Sequence, residues 1–78
     1  MNELKAMRTF LKVVDSGSFV AASRELDLAP AVVTRVIAEL EEGLGARLLT
    51  RTTRRLALTD VGARYLERVR GMLAKAGL

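Results

Sequence analysis

The sequence predicts a mostly α fold built from three helices, a two-stranded β wing and a C-terminal helix. Three observations carry that prediction. Residues 18–37, SFVAASRELDLAPAVVTRVI, read as two short helices joined by a tight polar turn. Directly beyond the second of them, RLLTRTTRRLALT gives two short β-prone runs around a polar, arginine-rich tip. Half of the 78 residues are apolar, yet only Phe10, Phe19 and Tyr65 are aromatic, so the core falls to Leu, Val, Ile, Ala and Met on helices.

Helix one is expected from about Glu3 to Asp15, with Asn2 as its cap and an apolar stripe of Leu4, Met7, Phe10, Leu11 and Val14. Gly17 supplies a left-handed stop, and Ser18 caps helix two, Phe19 to Leu26. Phe19, Ala22 and Leu26 form its inner face, and Ala21 with Ala22 let a neighbouring helix approach closely. Asp27-Leu28-Ala29 turns the chain, and Pro30 opens helix three, where its missing N–H costs nothing. Ala29 is a poor cap; a serine or threonine there is worth about 1 kcal/mol more. Helix three continues to about Gly43, with Gly43 and Gly45 bracketing Leu44, and buries Val33, Ile37, Leu40 and Leu44 at the i, i+4, i+7, i+11 spacing. Its other side then carries Ala31, Thr34, Arg35 and Ala38.

Arg47 to Thr50 and Arg55 to Leu58 are expected as the two strands, Leu56 and Leu58 alternating with small or polar neighbours. Thr59 caps a last helix, Asp60 to Lys75, in which Leu66, Val69, Leu73 and Ala76 recur at the spacing of a coiled-coil seam, broadened by Tyr65 and Met72. A body this small is expected to leave that seam exposed, which predicts a homodimer through the final helix. Gly71 within the helix and the short length of the seam predict weak pairing.

Composition narrows the function. The absence of Cys and His removes disulfides, thiolate and imidazole metal sites and the commonest general base, so neither an enzyme nor a metal or cofactor site is expected. No apolar run approaches the roughly 20 residues that span a bilayer, and MNELKAMRTF lacks the layout of a signal peptide. A cytoplasmic, nucleoid-associated protein without a membrane partner is the expectation. The net charge of +4 is unevenly spread: residues 46–59 hold four basic side chains and no acidic one, residues 29–45 one basic and three acidic. Such clustering is the footprint of a polyanion partner.

Helix, turn, helix and basic wing is an order that sets a reading helix in the DNA major groove and a charged tip beside the backbone, although two antiparallel helices of an ordinary bundle share the same pattern. The small side chains facing out of helix three let it approach base edges. Arg35 is placed to fork onto guanine, or else to hold a phosphate or pair with Glu39. Thr34 is placed to donate to a base or phosphate, or to bond back to the Pro30 carbonyl. Arg51, Thr52, Thr53, Arg54 and Arg55 form the wing tip, suited to phosphate or the minor groove, with a solvated loop or an Arg51 pair to Glu41 or Glu42 as the plainer readings. Glu39, Glu41 and Glu42 have no nucleophile or metal ligand near them and read as a solvated face.

With its elements in that order, the chain resembles the N-terminal DNA-binding domain of the LysR-type transcriptional regulators of bacteria. The likeness covers residues 4–62 and rests on Gly17-Ser18-Phe19, Ala21-Ala22, LEEGLGARLL at Leu40 to Leu49, Arg51 to Arg54 and Leu58 to Gly62, which together are specific. The resemblance implies a winged helix-turn-helix in residues 1–59 and the start of a linker or dimerisation helix in residues 60–78. It also implies a dimer on a pseudo-palindromic double-stranded site and a small-molecule effector bound by a further domain. The family's reading positions fall on Ala29, Pro30, Ala31, Thr34 and Arg35, and its wing contacts on Arg51 to Arg55. Ala29 departs from a usual serine and Val32 is bulkier than the usual alanine.

Sequence-specific DNA binding for transcription regulation is therefore the expected function. The alternative is a winged-helix protein-interaction module that docks through its final helix and basic wing. Salt separates the two, because several phosphate contacts lose orders of magnitude in affinity between low and moderate salt while a protein contact weakens far less.

Overall fold

A computed structural model describes residues 3–51 and 56–75, the side chain of Arg51 excepted. The chain forms two compact units, Met1–Ala46 and Arg47–Leu78.

The first unit holds α1 (Glu3–Ser16), α2 (Phe19–Leu26) and α3 (Pro30–Leu44), each packed on the other two. Ala6, Met7, Thr9, Phe10 and Val13 of α1 are buried, whereas Leu4 is exposed and Leu11 and Val14 are half-buried. The inner face is therefore turned by roughly one residue step from the stripe expected from the large apolar side chains. Thr9 explains the difference. Its hydroxyl donates to the Lys5 carbonyl at 2.8 Å, so a polar residue sits inside with its donor satisfied.

Gly17, at φ +73°, ends α1 with its N–H on the Val13 carbonyl at 2.9 Å. Ser18 is extended, and its hydroxyl oxygen accepts from the amides of Val20 (3.1 Å) and Ala21 (3.2 Å), which satisfies two donors at the start of α2. Ala22 and Ser23 are buried in α2, while Phe19 and Leu26, expected on its inner face, are half-buried. Ser23 is admitted for the same reason as Thr9, donating to the Val20 carbonyl at 2.7 Å. Glu25 accepts a hydrogen bond from Ser16 and lies 3.9 Å from the Lys12 ammonium, tying α2 to α1 at the surface. The helix ends at Asp27 in the left-handed region (φ 57°, ψ 45°), and the Leu28 N–H reaches back to Ser23 at 2.9 Å.

Val33, Ile37 and Leu40 are buried in α3, as the spacing predicts. Leu44 is not; it is 45% exposed. It is the last residue of the helix, and the glycines on either side of it stand in open space and cover nothing. Gly45, at φ +68°, closes the helix, and the Ala46 N–H donates to the Glu41 carbonyl at 3.2 Å.

The second unit holds β1 (Leu49–Arg51), β2 (Leu56–Leu58) and α4 (Asp60–Lys75). The strands pair antiparallel, Leu49 with Leu58, Thr50 with Ala57 and Arg51 with Leu56. β1 starts later than the expected Arg47, whose carbonyl is taken instead by the Thr59 hydroxyl at 2.6 Å, beyond the end of β2. Thr59 also caps α4, its hydroxyl oxygen accepting the Gly62 N–H at 2.9 Å. Asp60 in the first turn and Lys75 in the last complement the helix dipole.

The expected seam of α4 is only partly exposed in the single chain. Val69 is fully buried and Leu73 is 5% exposed. Tyr65 and Leu66 are half-buried, Met72 is 49% exposed, and Ala76 lies outside the described residues. Among the described residues no helix is long and apolar enough to cross a membrane.

Candidate nucleic-acid interface

The start of α3 is low in relief. Ala29 is extended (φ −68°, ψ 144°) and offers no side-chain cap, and Pro30 occupies the first turn. The amides of Val32 and Val33 both turn to the Ala29 carbonyl, at 2.9 and 3.2 Å. Ala29, Pro30 and Ala31 are all exposed, so only methyl groups and a ring stand in front of the helix. Continuing along the side opposite Val33, Ile37 and Leu40, Thr34 is half-buried, Arg35 exposed and Ala38 exposed. The structure thus brings Ala31, Thr34, Arg35 and Ala38 onto one accessible face.

Arg35 is the long side chain of that face, flanked by methyl groups. Among the described residues it forms no ion pair, with Glu39 or any other carboxylate. The Thr34 hydroxyl does not bond back to Pro30, nor to any other described residue. Both polar groups are therefore available to an incoming surface. Glu39 and Glu42, toward the far end of α3, are exposed, and Glu41 is half-buried and engaged. Among the described residues no group of three acidic side chains could hold a metal ion.

In the second unit, Arg51 is the last residue of β1, and Thr52, Thr53, Arg54 and Arg55 lie outside the described residues. The base of the wing is fully described. Arg47 is exposed while its carbonyl is held by Thr59, and Leu48 and Leu49 are buried. Residues 1–46 carry five basic and seven acidic side chains, residues 47–78 eight basic and two acidic. The positive charge therefore belongs to the wing and α4, not to the unit that carries α3.

Two contributors escape a reading by pattern. Thr59 is legible as a helix cap but not as the tie to Arg47, which joins residues 12 apart in sequence. Gly62 is buried on the main chain of Leu48. Its signal is a glycine inside the first turn of a helix, a placement that costs about 1 kcal/mol relative to alanine and therefore asks for a reason.

Comparison with known proteins gives a consistent result. A family model described as bacterial regulatory helix-turn-helix protein, lysR family, matches residues 4–63. A transcriptional repressor of the helix-turn-helix type from Pseudomonas aeruginosa is 48% identical over 73 residues, covering 94% of this chain and 23% of that protein. Similar figures hold for the regulator CrgA of Neisseria meningitidis, 46% identical over 67 residues, 86% of this chain and 22% of that protein. The chain spans about a quarter of the length of the curated relatives it matches. Among solved structures, the BenM DNA-binding domain bound to its catB site 1 DNA superposes with a TM-score of 0.92 at 33% identity, over 96% of this chain and 81% of that one. The complex of the CbnR DNA-binding domain with DNA gives 0.91 at 35% identity, over 96% and 86%.

Proposed function

The chain belongs to the LysR family of bacterial regulatory helix-turn-helix proteins, as its DNA-binding domain, and from that premise we propose how it engages DNA. The N-terminal half of α3 enters the major groove, and the wing grips the backbone beside it. The observation that carries this reading is the exposed face of α3, where two alanines flank a guanidinium that has no ion-pair partner among the described residues, opposite a buried apolar stripe. A helix comes close enough to read base edges only through such a surface. Ala29, Pro30, Ala31, Thr34 and Arg35 are the proposed contacts, with Arg35 bidentate on guanine. Arg51, Thr52, Thr53, Arg54 and Arg55 are the proposed wing contacts, supported by the four arginines between Arg47 and Arg55 that no acidic residue interrupts.

The division of charge supports a division of labour. A unit with more acidic than basic side chains gains little from phosphate as a whole, so α3 supplies discrimination while the wing supplies sequence-independent affinity. By the same reading, residues 1–59 act as the DNA-binding domain and residues 60–78 begin a helix that pairs weakly with a second copy. The whole protein regulates transcription from a pseudo-palindromic site under control of a small-molecule effector bound outside these residues. Selection of preferred sites from random duplexes by the purified chain tests the proposal. Enrichment of a short half-site, with affinity falling steeply between low and moderate salt, is the expected result; recovery of unenriched sequence overturns base reading by α3.

A further inference from the structure

Both feet of the hairpin end at Thr59. β2 runs into it from Leu58, and β1 begins at Leu49, just after the two residues whose carbonyls Thr59 holds. The Thr59 N–H donates to the Leu48 carbonyl at 3.0 Å, carrying the ladder one pair past Leu49 and Leu58. Its hydroxyl donates to the Arg47 carbonyl at 2.6 Å while accepting the Gly62 N–H at 2.9 Å. One proton and two lone pairs make these bonds compatible. A single oxygen atom therefore joins the start of α4 to the chain entering the wing.

We infer that Thr59 is a positioning residue for DNA binding, fixing the direction in which the wing leaves α4 and so where the wing arginines meet phosphate. The inference rests on the wing contact proposed above. A helix cap needs only an acceptor, which Asp or Asn supplies as well as Thr. The donor half of this hydroxyl is spent instead on Arg47. A wing of two three-residue strands is too short to be stable by itself and depends on its ties to α4, of which the Arg47 bond is the one nearest the chain entering β1.

A double-mutant cycle on the intact chain tests this, with affinity for a random-sequence duplex measured across a range of salt concentrations. Thr59→Val keeps the shape and removes both hydroxyl bonds. It is expected to weaken binding roughly tenfold, the equivalent of one charge-assisted hydrogen bond, with a shallower salt slope. Thr59→Ser is expected to bind like the unaltered chain. In an Arg54→Ala, Arg55→Ala background Thr59→Val is expected to cost clearly less, because two of the groups it positions are gone. An equal loss in both backgrounds, or no loss in either, overturns the inference. If the arginine double substitution alone leaves affinity and slope unchanged, the wing contact itself is wrong and the inference falls with it. Where circular dichroism shows that Thr59→Val does not fold, Thr59→Asp replaces it: the carboxylate still caps Gly62 but has no proton for Arg47. Because the new carboxylate also couples to the arginine charges, the same cycle is run with Thr59→Gly, an uncharged residue tolerated at a helix cap that has no hydroxyl for Arg47; non-additivity with glycine supports the inference and additivity overturns it.

Discussion

Gly62 rests directly on the main chain of Leu48: a Cβ built on the glycine falls 2.9 Å from the Leu48 carbonyl carbon, overlaps its oxygen and meets Leu58 Cδ2 at 3.1 Å. The same carbonyl accepts the Thr59 N–H, so it cannot turn aside without losing that bond. Helix and wing base are locked together by an absence of side chain.

Gly62→Ala is accordingly expected to destabilise the chain, although alanine is the better helix former. Overpacking against backbone costs about 1 to 3 kcal/mol beyond the roughly 1 kcal/mol of propensity gained. Gly71, in the same helix, meets nothing within 4 Å, and Gly71→Ala is expected to stabilise by about 1 kcal/mol. Urea unfolding of the two variants checks the contrast; a shift of the same sign in both removes the argument from close approach.

Asp27 holds a left-handed conformation that glycine adopts freely, and its carboxylate stands at the negative end of the α2 dipole. Asp27→Gly relieves both and is expected to raise stability by about 1 kcal/mol, with Asp27→Asn gaining a few tenths. The thermal midpoint is the measurement, and a lower midpoint for the glycine variant shows that the aspartate side chain holds the turn in another way.

What the sequence made legible follows from where local signals sit. Ser18 and Thr59 each precede a helix whose bounds, Phe19–Leu26 and Asp60–Lys75, match expectation, because a cap and a helical pattern are both local. The inner face of α1 departs from the expected stripe since Thr9 and Ala6 carry no apolar weight in a pattern, yet burial needs only a satisfied hydroxyl or a small side chain. Ahead of β1 the Arg47 carbonyl is taken by Thr59, a long-range bond that no window of neighbouring residues contains. Periodicity finds the inner face of α4 but not its occupant: Val69 and Leu73 repeat at the spacing of a seam whether a partner or the chain itself covers them. For the exposed face of α3 the sequence suffices, since Val33, Ile37 and Leu40 bury one side of the helix and leave Arg35 on the other.

Arg35→Ala is expected to weaken binding to a selected site by about 1 to 3 kcal/mol and to relax the preference at one base step in each half-site. Its guanidinium has no ion-pair partner to leave stranded among the described residues, so stability is expected to change little. Parallel titrations with selected and random duplexes separate the roles. An equal loss on both makes Arg35 a phosphate clamp.

Replacing Arg54 and Arg55 by alanine is expected to weaken binding to all duplexes alike and to flatten the salt slope by about one unit for each phosphate that is no longer neutralised. The motive is the run of four basic and no acidic residues in positions 46–59. A slope that stays as steep as that of the unaltered chain shows the wing directed away from the backbone.

Met72 and Leu73 are neighbours with opposite expected outcomes. Leu73 is buried in the single chain, and Leu73→Glu puts an unpaired charge into the core, which unfolds so small a domain. Met72 is 49% exposed on the side of α4 that also carries Tyr65 and the 39% exposed Val61, at the i, i+4, i+11 spacing of one helical face. This is the apolar surface left for a second copy once Val69 and Leu73 are accounted for, and its small area, with Gly71 beside it, predicts weak pairing. Met72→Glu is expected to leave the chain folded, to shift sedimentation from a concentration-dependent dimer toward monomer, and to reduce affinity for a paired site more than for a single half-site. On the proposed reading, pairing sets the spacing of two reading helices near whole turns of DNA, so its loss is expected to tell most where two half-sites are offered. A chain that sediments as a monomer at high micromolar concentration before any substitution overturns pairing through α4 and leaves the reading of DNA by α3 untouched.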